Sequence, residues 1–269
     1  GDFGVPCRQP PGWFHIHPRM YLGRHCMPMR NAKGFTLVEM MVAIAVAIGL
    51  LASVYLAINS TQRHSSSIER KVTAQQDVKP ALDIVALEIG MASYNPTFVS
   101  NFWITPTGTF CGSVTTSQTY RGIQEATANS IAIEMDITNA AGTATDGNGS
   151  IDGPNELIRY DYDTANQRIT RATGCGGGGQ PFLGDTVAGQ KTVRVVNSAL
   201  GIPIFRYYDG AGAEIVQGTT SNDLPARIPD IRRIEIVLAV ETENNDVNTG
   251  QPRRLIYSTS VIPRNHAIQ

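Results

Sequence analysis

The sequence predicts an α+β protein in which one long N-terminal helix precedes a head of antiparallel β-sheet. Three observations predict it. An uncharged run of 19 residues extends from Met40 to Ile58, apolar residues keep a helical spacing beyond it as far as Ile89, and from residue 95 onward short alternating segments are broken by turn residues.

The apolar run comes first. At ~1.5 Å per residue, these 19 residues, or the 24 from Phe35 in which Glu39 is the only charge, span roughly 30 Å, which is enough to cross the hydrocarbon of a bilayer. Arg30 and Lys33 precede the run and place that end in the cytoplasm, so the body downstream is exported. An ordinary secretory signal has a shorter apolar stretch with a small-residue cleavage site after it. Here Gly34 sits before the run. Either the segment is a plain signal anchor with an incidental glycine, or the chain is cut after Gly34. Glu39 favours the cut, because a carboxylate near the start of a membrane helix is costly (~2.5 to 3.5 kcal/mol at the bilayer centre, less near an end) and marks a function with a partner. Cleavage after Gly34 would create an α-amine on Phe35, four residues away.

Beyond Ile58 the pattern becomes mixed. Ile68, Val72, Gln75, Gln76, Lys79, Leu82, Val85, Leu87 and Ile89 keep a helical spacing with no glycine between them. Pro80 lacks an amide donor and predicts a kink near Lys79. The helix is expected to run from Phe35 to about Ala92, roughly 85 Å. The expected organisation is a leader over 1–34, a membrane and assembly helix over 35–58, its continuation packing on the head over 59–94, and a β-rich head over 95–269.

In the head, Ile131, Ile133, Met135 and Ile137 alternate with Ala132, Glu134 and Asp136, the pattern of a half-buried strand. Segments 157–162 and 167–171 flank a four-residue turn as a hairpin, and 204–208 with 213–216 form another around Asp209-Gly210. Ile234, Ile236, Leu238 and Val240 give the clearest strand, with 255–262 pairing to it across the polar loop 241–252.

With 269 residues, 42% hydrophobic and 17% charged, the chain can bury a core. Residues 1–34 hold five Lys/Arg against one Asp, leaving 17 basic and 22 acidic residues beyond and no basic stripe of the kind nucleic acid requires. Of the four cysteines, Cys7 and Cys26 lie upstream of the cut. Cys111 and Cys175 remain, a widely spaced pair that fits a structural disulfide in an oxidising compartment better than zinc, the alternative being two unrelated buried thiols.

Gly34-Phe35-Thr36-Leu37-Val38-Glu39 and the apolar run resemble the processing signal of type IV prepilins and pseudopilins. The resemblance implies that a prepilin peptidase cuts after Gly34 and methylates the amine of Phe35. It also implies that Glu39 neutralises the N-terminal amine of a neighbouring subunit during assembly. Leaders of this family are short, whereas 34 residues precede the cut. Met29 gives a six-residue leader, so 1–28 is expected to be an over-extended start, the alternative being a genuine extension.

The segments 81–89, Phe205-Arg206-Tyr207-Tyr208-Asp209-Gly210 and Ile231-Arg232-Arg233-Ile234-Glu235-Ile236 are similar to minor pilins of the PilW type, and the layout is similar to J-type minor pseudopilins of type II secretion. The resemblance implies a lollipop-like fold and a non-enzymatic role as a minor pilin that helps initiate or cap a type IV pilus. A type II secretion pseudopilin and a membrane-anchored adhesive or ligand-binding module are the alternatives. The expected partners are the prepilin peptidase, other major and minor pilins, the inner-membrane assembly platform and the lipid bilayer. The expected location is the bacterial inner membrane with a periplasmic head, then the pilus or pseudopilus at the cell surface.

Catalytic constellations are sparse. Beyond the cut only His64 and His266 remain, no hydrolase, zincin or Walker motif occurs, and the glycine run 176–179 reads as a flexible turn. Asp161 and Asp163 read as solvated edge charges. The stretch Asp146-Gly-Asn148-Gly149-Ser150-Ile151-Asp152 through Glu156 resembles the core of an EF-hand loop, with Asp146, Asn148, Asp152 and Glu156 as candidate calcium ligands. It lacks the first Asp and carries its last Glu one residue late, so an ordinary polar hairpin tip is the competing account.

Overall fold

A long run without glycine after Gly49 until Gly90 gives one continuous element, α1, from Leu37 to Gly90, which tolerates Pro80 inside it. The computed structural model describes residues 34–106, 114–116, 120–139, 142–143, 147–174, 178–184, 192–216, 226–246 and 249–267. Cys111, Cys175 and Asp146 lie outside these residues, as does the leader up to residue 33. The chain divides into two units, Gly1–Tyr55 and Leu56–Gln269. In the first, the described part is the start of α1, and none of its side chains is buried.

In the second unit the rest of α1 buries one face, formed by Ser67, Ala74, Val78, Ala81, Leu82, Val85 and Ile89. These positions recur at three, four and seven residues, so they share one stripe. Residues 91–103 lead from α1 to a short ribbon of β1 (Ile104–Pro106) and β2 (Val114–Thr116). A five-stranded antiparallel sheet follows in meander order: β3 (Ile123–Ala126), β4 (Ser130–Glu134), β5 (Leu157–Asp163), β6 (Arg168–Thr173) and β7 (Gln180–Leu183). The second sheet is built on β11 (Arg233–Asn245). One edge of β11 pairs with β12 (Pro252–Val261), and the other is shared by β8 (Val193–Val195) and β9 (Phe205–Tyr208), with β10 (Glu214–Ile215) outside β9. A four-residue helix α2 (Asn197–Leu200) and 3-10 turns at Ile228–Asp230 and Arg264–Ala267 complete the elements.

The core lies where the buried stripe of α1 meets both sheets. Val78, Leu82, Val85 and Ile89 join Ile131, Ile133 and Tyr160 of the first sheet and Phe205, Ile234, Ile236, Leu238 and Val240 of the second in one cluster. The fold is therefore α+β, with a long N-terminal helix and antiparallel sheets.

Several expected elements are present: the hairpin of β5 and β6, the hairpin of β9 and β10, and the long β11–β12 pair. Helix α1 runs through Pro80 as one element to Gly90, within two residues of its expected end. Two expectations need correction. The segment from β4 to Asp136 is not half-buried: Ala132, Glu134 and Asp136 are as inaccessible as Ile131 and Ile133, with Ile104 of β1 and Gln124 of β3 bonding Glu134 and the turn at Asn148-Gly149 bonding Asp136. Asp161 and Asp163 are not on an edge, since β5 is an inner strand, and they pair with Arg159 and Arg168.

Candidate functional site

The N-terminal segment is built on a helix start. Gly34 and Phe35 precede α1, both exposed, and a Cβ added at Gly34 would meet nothing within 4 Å. Thr36 caps the helix. Its hydroxyl accepts from the Glu39 N–H at 3.2 Å, while Glu39 Oε2 accepts from the Thr36 N–H at 2.9 Å and lies 3.1 Å from the Thr36 hydroxyl. This is a capping box, in which two orphan donors of the first turn are satisfied reciprocally. The Thr-x-x-Glu spacing was present in the sequence as its signal, yet Glu39 was read there only as a partner for an amine. The structure gives the carboxylate a local partner too, on the residue adjoining Phe35.

From Phe35 to Ile58 every large apolar side chain is more than half exposed. Such a surface is unstable in water over this length and stable in lipid, and the apolar part of α1 is long enough to span a bilayer. Residues 29–54 match the family model for the prokaryotic N-terminal methylation motif. This segment is therefore similar to the N-terminal segment of prepilin-type proteins. A solved structure of a type IV-like pilin from Thermus thermophilus is 12% identical, with a TM-score of 0.39, and the match covers 71% of this chain and 97% of that one. No curated protein matches the chain. The prepilin motif implies processing by a prepilin peptidase and assembly with other pilins, and its apolar helix implies anchoring in a membrane.

The β-rich head holds its own polar centres. In the loop after β4, Asp136 is fully buried, and its Oδ1 and Oδ2 accept from the N–H groups of Asn148 (2.8 Å) and Gly149 (2.9 Å). Glu156 is also fully buried. Its Oε1 accepts from the N–H groups of Ile137 (3.0 Å) and Thr138 (2.8 Å), and its Oε2 from those of Asp152 (2.9 Å) and Gly153 (2.6 Å). The candidate calcium residue Glu156 thus spends both oxygens on four backbone donors. Asn148 Oδ1 accepts from Ser150 N, and its Nδ2 donates to Asp152 Oδ1. The structure brings Asn148, Asp152 and Glu156 into one turn by hydrogen bonds, while Asp146 lies outside the described residues. Among the described residues no group of three His, Cys, Asp or Glu has the arrangement to hold a metal.

Three further groups had no local signal. Glu88 of α1 pairs with Arg171 of β6 through Nη2 at 2.7 Å and Nε at 3.1 Å, and it accepts the hydroxyl of Tyr160, whose phenol burial pushes well up. Glu134 is fully buried, accepting from Gln124 Nε2 at 2.8 Å and Ile104 N at 3.0 Å, and burial pushes its carboxyl up to about 8. His266, read from sequence only as a residue near the end, is fully buried. Its Nε2 lies 2.8 Å from the Ile228 carbonyl, and its Nδ1 lies 3.0 Å from both Ser93 Oγ and the Arg121 carbonyl. Burial pushes its imidazole pKa down. Gly122, beside Arg121, has φ of +83°, and a Cβ there would sit 2.8 Å from Ser93 Cα, so the junction requires glycine.

Proposed function

We propose that this chain is a minor type IV pilin, a structural subunit that helps initiate or cap pilus assembly from the inner membrane. The observation that carries the reading is the capped, apolar helix start at Gly34-Phe35-Thr36-Leu37-Val38-Glu39, inside the segment that matches the methylation motif. In this role Gly34 marks the cut, Phe35 becomes the methylated terminus, and Glu39 neutralises the amine of a neighbouring subunit in lipid, where an unpaired ammonium is costly. A head with two five-stranded sheets favours a subunit placed once at a tip over one repeated along a shaft. Its exported location and an oxidised Cys111–Cys175 pair belong to the same reading.

Intact-mass analysis of membrane fractions tests the processing: a chain beginning at methylated Phe35 is expected, with Gly34→Leu accumulating uncut. A mature terminus elsewhere refutes it. Deletion of the gene should then reduce surface pili. Normal piliation with loss of protein secretion alone would replace the pilus by a secretion pseudopilus.

A further inference from the structure

The turn at Asn148-Gly149 combines the fastest sequence for spontaneous asparagine loss with hydrogen bonds that oppose it. In that reaction the backbone nitrogen of the following residue gives up its proton to a solvent base and attacks the side-chain Cγ. The new C–N bond closes a succinimide, and Nδ2 leaves as ammonia. Water then opens the ring at either carbonyl, leaving aspartate or isoaspartate, so that one water replaces one ammonia. A following glycine speeds ring closure because no side chain hinders the attacking nitrogen.

Asn148 is exposed, so water and base can reach it. Yet each atom in the reaction is engaged. The attacking nitrogen, that of Gly149, donates its proton to Asp136 Oδ2 at 2.9 Å, and a carboxylate beside an amide opposes loss of that proton. Asn148 N is held by the other oxygen of Asp136 at 2.8 Å. The carboxamide itself is pinned at both ends, Oδ1 by Ser150 N at 2.9 Å and Nδ2 by Asp152 Oδ1 at 3.1 Å. The fit around the carboxylate is close: a Cβ at Gly147 would lie 2.3 Å from Asp136 Oδ1, and one at Gly149, where φ is +79°, would lie 2.9 Å from Val99 Cγ2. Asp136 is anchored in turn by its own N–H to the Tyr94 carbonyl at 2.8 Å.

We propose that Asn148 is a latent deamidation site which the buried Asp136 carboxylate keeps closed, so that the residue converts only when this turn opens. The conversion is one-way. It replaces the amide that donates to Asp152 with a carboxylate facing it, and two like charges in a hydrogen-bonding position prevent the turn from closing again. An exported head therefore carries a chemical record of how often this turn has opened.

The test uses the full chain in detergent, incubated in mildly alkaline buffer with and without denaturing urea, with peptide mapping that resolves aspartate from isoaspartate. Conversion at Asn148 in the native chain should be slower than in urea by at least about tenfold, by the same factor that protects the Gly149 amide from hydrogen exchange, since both need the same opening. Asp136→Asn, which can keep an acceptor on one side only, should speed native conversion at Asn148. Equal rates in native and unfolded chains overturn the proposal. Slow native conversion with an unprotected Gly149 amide, or a folded Asp136→Asn chain with an unchanged rate, overturns it as well.

Discussion

Glu134→Gln should remove a pH dependence of stability that wild type carries between about pH 5 and pH 8. Glu134 sits with no exposed surface on β4, and burial raises its folded carboxyl from 4.5 to about 8. A folded pKa above the unfolded one means that the neutral form is favoured by folding. That contribution is complete below pH ~4.5 and is lost as pH rises toward ~8. At ~1.4 kcal/mol per unit, a gap of roughly 3.5 units corresponds to about 5 kcal/mol across the window. Glutamine keeps the acceptor for Ile104 N, stays neutral at every pH, and offers an N–H to Gln124 Oε1, which has no partner among the described residues. Urea unfolding of the full chain in detergent, followed by the fluorescence of buried Trp103, should show wild type losing several kcal/mol from about pH 5 to pH 8 while the variant changes little by comparison. Parallel pH profiles for the two chains would refute the assignment.

On the proposed role of Glu39 in neutralising a neighbour's amine, Glu39→Ala should leave cleavage and membrane insertion intact, at the loss of the Thr36 N–H cap, while filaments fail; normal filament numbers count against it. Thr36→Val, which removes the hydroxyl of the cap, should lower stability of the first helical turn by ~1 kcal/mol, seen as faster amide exchange at residues 38–40. Arg171→Ala leaves the Glu88 carboxylate without its cation in a largely buried site, with only the Tyr160 hydroxyl still donating to it, and a loss of roughly 3 kcal/mol in urea unfolding is expected, with less than ~1 kcal/mol showing a solvated pair. Non-reducing peptide mapping of exported material should recover Cys111 and Cys175 as one cross-linked species, and two alkylatable thiols would exclude the link.

Legibility from sequence followed the locality of the forces involved. Ile234, Ile236, Leu238 and Val240 announce β11 because alternate positions along a strand share one face and that face meets the core, although Val237 and Ala239 on the other face are buried as well. The same rule misplaces Glu134 and Asp136. Glu134 satisfies donors on β1 and β3 and Asp136 those of the turn at 148–149, so their side of the chain is also interior, and a polar letter hides a buried position. Glu156 is the same case within the loop first read as a cation site. The Glu88–Arg171 pair joins residues 83 positions apart and His266 meets Ser93 across 173, distances at which no periodicity carries information. The helix start was fully local. Thr36 and Glu39 stand in capping-box spacing, and only the attraction of the amine as a partner kept the cap from being read.

The junction around His266 gives the chain a late keystone. Ser93 follows the long helix, Arg121 precedes the first sheet and Ile228 precedes the central strand of the second, yet the side chain that fills the space between their polar groups comes from a turn 38 residues beyond Ile228. One imidazole thus ties the end of the long helix, the approach to the first sheet and the approach to the second at a single point. Loosening of the Arg264–Ala267 turn would release all three together, so a local event at this turn is felt across the head.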